Sequence, residues 1–356
     1  MKIAKRKCIA VLSLLFLNGC ALDSVPYLFQ LASNQVSLLS KRQPIEEALK
    51  REDSGLTPQL RDRLKSIPDI RAFARRIGLS PGGAYTQYAP VDLKVYVVTA
   101  AEQTRLKRYE WWWPIVGSVP YKGFFSKEDA QQEIEKFRDR SKDTHVRTVR
   151  AYSTLGWFDD PIVPAMLRGS RASFVGLLLH ESVHATFFRK DNTAFNEEAA
   201  VLIERAGTLM YLREKLGTDP KEIKDYREAI QKGEHFLGII DAVYAELSRL
   251  YASEASDQEK LARREEIFQK TLSAHPQIER RLRAEKKETG LPVAFNNAYI
   301  LAYRLYFENR NRMWGLYGRI GEDLPRMVSL LKQAAKAEGD PFEALERMVK
   351  KEAGTS

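Results

Sequence analysis

Cysteine is nearly absent from this chain of 356 residues: there are two, Cys8 and Cys20, both near the start. Beyond Cys20 no thiol remains, which excludes a disulfide framework, a cysteine nucleophile and a zinc–thiolate site from the rest of the chain. Long hydrophobic runs are missing too. The run Ile9 to Leu17 is too short to span a bilayer comfortably as a helix. There is no internal repeat and no low-complexity linker, so a solenoid or a tethered pair of modules is not expected. Charge of one sign is not segregated. The formal net charge is +10, but basic residues alternate with acidic ones on apparent helices, as from Asp257 to Glu288. With no reader motif beside that charge, the pattern describes solvated helix faces, and no nucleic-acid partner is expected. What remains is an ordinary globular composition in a chain long enough to bury a sizeable core.

The first nineteen residues read as a signal peptide. Lys2, Lys5, Arg6 and Lys7 form a basic region ahead of the apolar run. The run ends in Leu17-Asn18-Gly19-Cys20, which resembles the lipobox of bacterial lipoproteins. That resemblance implies cleavage after Gly19 and lipidation of Cys20. With Ala21 rather than Asp behind the cysteine, it also implies a periplasmic protein anchored to the outer membrane of a Gram-negative bacterium.

Residues 20–356 are expected to form one unit. Helical spacing runs from Val25 to Lys50 and from Thr57 to Ile77. Between about 85 and 152 the pattern changes. Leu93–Val98, Trp113–Val119 and Val146–Tyr152 read as strands, with a helix capped by Ser126 and running through Arg138. From about 157 to 352 the chain reads as helix, over 171–188, 194–216, 220–253, 257–287, 297–316, 323–338 and 341–352. The expected class is α+β, predominantly helical, with a small antiparallel or mixed sheet in the middle.

His180-Glu181-Ser182-Val183-His184 lies in the apolar helix that begins near 171. Histidines four apart on a helix share one face and can bind one tetrahedral metal ion. Glu181 projects near that face and can act as general base toward water without ligating the metal. An ordinary buried helix is a poor alternative, because three unpartnered titratable groups would be costly to bury. A catalytic zinc needs a third protein ligand. The next helix starts after a short loop, at Asn196-Glu197-Glu198, so Glu197 or Glu198 could complete the site. Glu204, seven beyond Glu197, faces the same side and could hydrogen-bond a ligating histidine.

His-Glu-x-x-His followed by a downstream Asn-Glu resembles the signature of gluzincin metallopeptidases, whose third ligand is the glutamate of that pair. The resemblance implies Glu197 as ligand, one zinc ion, Glu181 as general base and a zincin-like metal helix. More closely, the chain resembles the zinc aminopeptidase family of bacterial lipoproteins. That likeness is carried by Leu38 to Ile45, Tyr152 to Pro161, the His180 motif, Thr193 to Glu197 and Phe295 to Ala298. It implies hydrolysis of peptides from their amino end. The Gly-x-Met-Glu-Asn segment that holds the substrate amine in other gluzincin aminopeptidases has no counterpart before His180.

Tyr152 and Asn296 are candidates for contacting the substrate or a developing oxyanion. Plainer roles are a strand end for Tyr152 and a helix N-cap for Asn296. His145, His235 and His275 lack metal spacing. Two rivals share the motif: an endopeptidase or amidase on cell-wall peptides, and a non-catalytic envelope lipoprotein with a structural metal. A structural site has no use for Glu181 and would usually close the fourth position with a protein ligand.

Overall fold

The computed structural model describes residues 33, 36–51, 55–92, 94–113, 117–138, 141–149, 159–218, 220–305 and 310–353. Cys20, Tyr152 and the rest of 150–158 lie outside the described residues.

A short antiparallel pair, β1 (Gln43–Pro44) and β2 (Gln87–Tyr88), brackets helices α1 (Ile45–Lys50) and α2 (Pro58–Arg76). The helical spacing from Val25 to Lys50 is thus interrupted at Pro44, which cannot donate to a continuing helix. Thr57 caps α2 and Pro58 opens it.

The middle of the chain supplies β3 (Val95–Glu102), β4 (Trp111–Trp113), β5 (Gly117–Val119), β6 (Lys122–Phe124), helix α3 (Lys127–Arg138) and β7 (Lys142–Val149). The order β6-β3-β7 makes an antiparallel sheet, with Val97 opposite Arg147 and Thr99 opposite His145. One face packs on α3 through Tyr96, Val98, Ile134 and Val146. The expected single strand over Trp113–Val119 is instead a hairpin, β4 with β5. Gly117, at a φ of 78°, begins its return strand in the left-handed region that glycine adopts without strain. The hairpin is seated by Trp111, which packs with Ala100 and Phe137. The Trp111 indole N–H also donates to Glu133 on α3 at 2.9 Å.

Helices follow: α4 (Arg171–Thr186), α5 (Thr193–Leu216), α6 (Lys221–Tyr251), α7 (Asp257–Ala274), α8 (Pro276–Thr289), α9 (Asn297–Arg304), α10 (Arg310–Arg319), α11 (Leu324–Ala334) and α12 (Pro341–Ala353). The single helix expected over 257–287 is broken at His275, because Pro276 opens α8 as its first residue. The one expected over 297–316 is described as two, α9 and α10.

The largest core joins α2, α4, α5, α11 and α12 through Phe73, Phe174, Leu179, Phe195, Leu202, Val328 and Leu345. A second joins α6, α7, α8 and α9 through Phe236, Ile240, Phe268, Ile278 and Tyr299. Helix α6 belongs to both, with Ile223 in the first and Phe236 to Leu247 in the second. The thirteen residue steps from Ile223 to Phe236 span about 20 Å at 1.5 Å each. One rigid element therefore carries both cores.

Candidate metal centre

Helix α4 starts at Ser170, whose hydroxyl accepts the amide of Ser173. Its apolar residues Phe174, Val175, Leu178, Leu179 and Val183 are buried, which turns His180, Glu181 and His184 toward α5. The two helices are joined by residues 187–192 and run antiparallel, as the short connection requires. They also approach closely. A Cβ on Gly176 would lie 3.0 Å from Cγ of Glu204, and one on Gly207 would lie 2.9 Å from a methyl of Leu179. Glycine at both places lets the helix backbones come together.

Asn192 caps α5, its side chain accepting the amide of Phe195 at 3.0 Å. Asn196 then binds back to the turn, accepting from the Arg189 amide and donating to the Arg189 carbonyl, both at 2.8 Å. These bonds fix the first turn of α5, where Phe195, Asn196, Glu197 and Glu198 are all buried.

Glu197 lies against the two histidines. His180 Nε2 is 3.4 Å from Glu197 Oε2, and His184 Nε2 is 3.8 Å from Oε1. The imidazole centroids are 5.0 Å apart. Among the described residues, His180, His184 and Glu197 form a group whose ligand atoms all lie within 4.8 Å of one another. Bonds of about 2.0–2.1 Å to a tetrahedral ion would set such atoms about 3.3 Å apart. The two histidine–glutamate distances are close to that spacing already. Glu198 is buried but supplies no atom to the group.

The surroundings suit a cation. His180 turns its other nitrogen, Nδ1, to Glu204 at 3.0 Å. A carboxylate on that nitrogen fixes the ring's tautomer and leaves Nε2 free to ligate. Burial works against charge on His180, yet the hydrogen bonds of Glu197 and Glu204 outweigh it and hold its pKa well above the ordinary histidine value. For His184 burial prevails and the pKa is lowered. Glu197 stays ionised despite burial, because His184, His180 and Arg147 favour its charge. Oε2 of Glu181 is buried and accepts no hydrogen bond from the protein. A carboxylate oxygen left so beside two histidines and a third ligand is suited to receive a proton from water.

Asn296 stands elsewhere. Its side chain caps α9, accepting the Tyr299 amide at 2.9 Å and donating to the Thr144 carbonyl at 3.0 Å. Its neighbour Asn297 donates to the carbonyls of Glu102 and Gln103. Phe295 to Ala298 therefore fastens α9 to the sheet and is not brought to the triad. His145 is fully buried on β7, as far from a surface role as its lack of metal spacing allowed. Sequence reasoning missed the share of Arg147 in holding Glu197 ionised. An isolated arginine in a strand carries no signal of what faces it. A surface cavity of about 640 Å³ opens on the outer side of the 188–192 turn, against Ala335 and Gly339 to Pro341, and includes none of the triad.

Residues 26–342 match the model of the family described as "Putative aminopeptidase". The chain belongs to that family. Neither a curated protein nor a solved structure matches the chain. The family match includes every residue of the candidate triad. Membership suggests a peptidase-like function.

Proposed function

We propose that the protein is a zinc-dependent peptidase acting on peptides with a free amino end, anchored in the envelope through Cys20. One observation carries the reading: a His-His-Glu cluster whose histidine–glutamate distances are already close to tetrahedral spacing, with Oε2 of Glu181 buried and unpartnered beside it. The donor set of two imidazoles and one carboxylate matches catalytic zinc sites, which keep a position open. His180, His184 and Glu197 would hold the ion. Zinc bound there supplies Lewis acidity, polarising a peptide carbonyl and bringing the pKa of a water toward about 7.

The remaining work belongs to the chain. Glu181 takes the proton of the attacking water at Oε2 and passes it to the departing amine nitrogen. Glu204 holds the His180 ring through Nδ1 and keeps Nε2 directed at Glu197. Burial around the first turn of α5 limits water near Glu197, which strengthens every charge interaction there. The family description supports the exopeptidase part, and the leader-like first nineteen residues support the lipid anchor. Among the described residues no helix is long and apolar enough to cross a membrane.

The test is digestion of a peptide library, half of it N-acetylated, by the zinc-loaded wild type and by Glu181→Gln. Release of single residues from the free-amine half alone, lost in the variant, is expected. Internal cleavage of both halves would replace the exopeptidase reading with an endopeptidase one. No cleavage of either half would favour a structural metal.

A further inference from the structure

The turn between α4 and α5 meets the β4–β5 hairpin at Asp191. Asp191, six residues before Glu197, has its carboxylate Oδ1 3.0 Å from the backbone N–H of Ser118, which donates to it from strand β5. The approach leaves no room at the neighbouring position. A Cβ on Gly117 would overlap the Asp191 carboxylate. Both residues sit in the left-handed region, Asp191 at a φ of 57° and Gly117 at 78°. Glycine is at ease there, and aspartate tolerates it better than most residues. Each strand of the contact is thus shaped to bring the carboxylate onto the ribbon.

The ribbon is a firm support. Trp111, Trp113 and Val119 seat the hairpin on Ala100 and Phe137, and the Glu133 carboxylate that holds Trp111 also pairs with Lys122 at 3.2 Å. The opposite end of the turn is held from the first core. The Arg189 guanidinium donates to the carbonyl of Ala337 at 2.7 Å and of Gly339 at 2.8 Å, just past α11. The six residues that set the spacing of α4 and α5 are therefore held from two sides. Asp191 links them to the β4–β5 hairpin.

We propose that Asp191 is a positioning residue for the metal centre: by clasping the turn onto the Gly117–Ser118 ribbon, it fixes how far Glu197 stands from His180 and His184. It acts through the N-cap beside it, Asn192, whose bond to Phe195 sets the start of α5. The proposal rests on the reading of His180, His184 and Glu197 as a zinc site. Partners that orient metal ligands at one remove are typically worth about 10- to 100-fold in affinity. A clasp two bonds removed and open to solvent belongs at the lower end of that range.

Zinc dissociation constants would be measured by competition with a chelating dye, on the full chain, for wild type, Asp191→Ala, Asp191→Asn, Gly117→Ala, Trp112→Ser and His184→Ala. Trp112 is on the same hairpin and is 68% exposed, so its variant leaves the clasp intact and serves as control. Asp191→Ala and Gly117→Ala are each expected to weaken zinc binding about tenfold. Asp191→Asn retains an acceptor for the Ser118 amide and is expected to recover most of the loss. Trp112→Ser should bind as wild type does. Unchanged affinity in Asp191→Ala, or an equal loss in Asp191→Asn, overturns the clasp. The site reading fails separately, if wild type binds no zinc or His184→Ala binds it undiminished.

Discussion

Glu204 reaches His180 because Gly176, one turn before the histidine, leaves space for it. The resulting Nδ1–carboxylate contact does for His180 what no residue in the His180–His184 motif can do, namely choose its tautomer. Glu204→Ala is expected to weaken zinc binding by about 10- to 100-fold. Glu181→Gln, which removes the proton acceptor but no ligand, should leave zinc affinity nearly unchanged. The measurement is the same dye competition, and equal losses in the two variants would contradict the division of roles. At this scale the site was largely legible. His180, Glu181 and His184 follow from helical periodicity, and Glu204 from counting two turns beyond Glu197. The choice of Glu197 over Glu198 was not open to counting alone, since either could have faced α4. It came from the resemblance; in the structure the first turn of α5 groups Glu197, and not Glu198, with the histidines.

Two helices packed face to face set the distance between the histidines and their carboxylate, so the α4–α5 contact controls the site. Gly207 is the place where α5 meets Leu179. Gly207→Val adds branched bulk to a filled core and is expected to cost about 1–3 kcal/mol. Urea unfolding reads that cost, and an unchanged midpoint would mean the helices have room to separate. The same scale shows where sequence reading stopped short. Long helices such as α5 and α6 were placed to within a few residues, because their burial follows their own periodicity. The Trp hairpin was read as one strand over Trp113 to Val119 because aromatic and β-branched residues dominate that stretch. The reversal depends on Gly117 and on tertiary support from Glu133, Phe137 and Asp191, none of them nearby in the pattern. The buried pair of Arg264 with Asp143, two bonds at 3.0 Å joining α7 to β7, was equally silent. Charges 121 residues apart leave no local trace.

Among the described residues the two larger cores share one long helix, with the candidate triad on the first and the sheet packed against α9 beside the second. His145 belongs to the seam of the sheet with α9, edge-on to Tyr299 with centroids 4.8 Å apart. Burial, and then the nearby charges of Arg147 and Arg281, push its pKa down to about 3. The folded protein thus excludes a proton that the unfolded chain takes up below about 6.5. Stability is fully present above that pH and is lost as pH falls from about 6.5 toward 3. His145→Leu should flatten this acid dependence in urea unfolding between pH 7.5 and pH 5, whereas an unaltered slope would place the sensitivity elsewhere. Zinc held by the triad, as proposed, would link to the same equilibrium. An ion bound only by the folded state raises the unfolding temperature, and a chelator lowers it again. The central claim, that His180, His184 and Glu197 together hold one zinc ion, is tested most directly by metal content after dialysis against limiting zinc. One equivalent per chain in wild type and in Glu181→Gln, with none in His184→Ala or Glu197→Ala, is the predicted result. Zinc retained at one equivalent in Glu197→Ala, or absent from wild type, would contradict it.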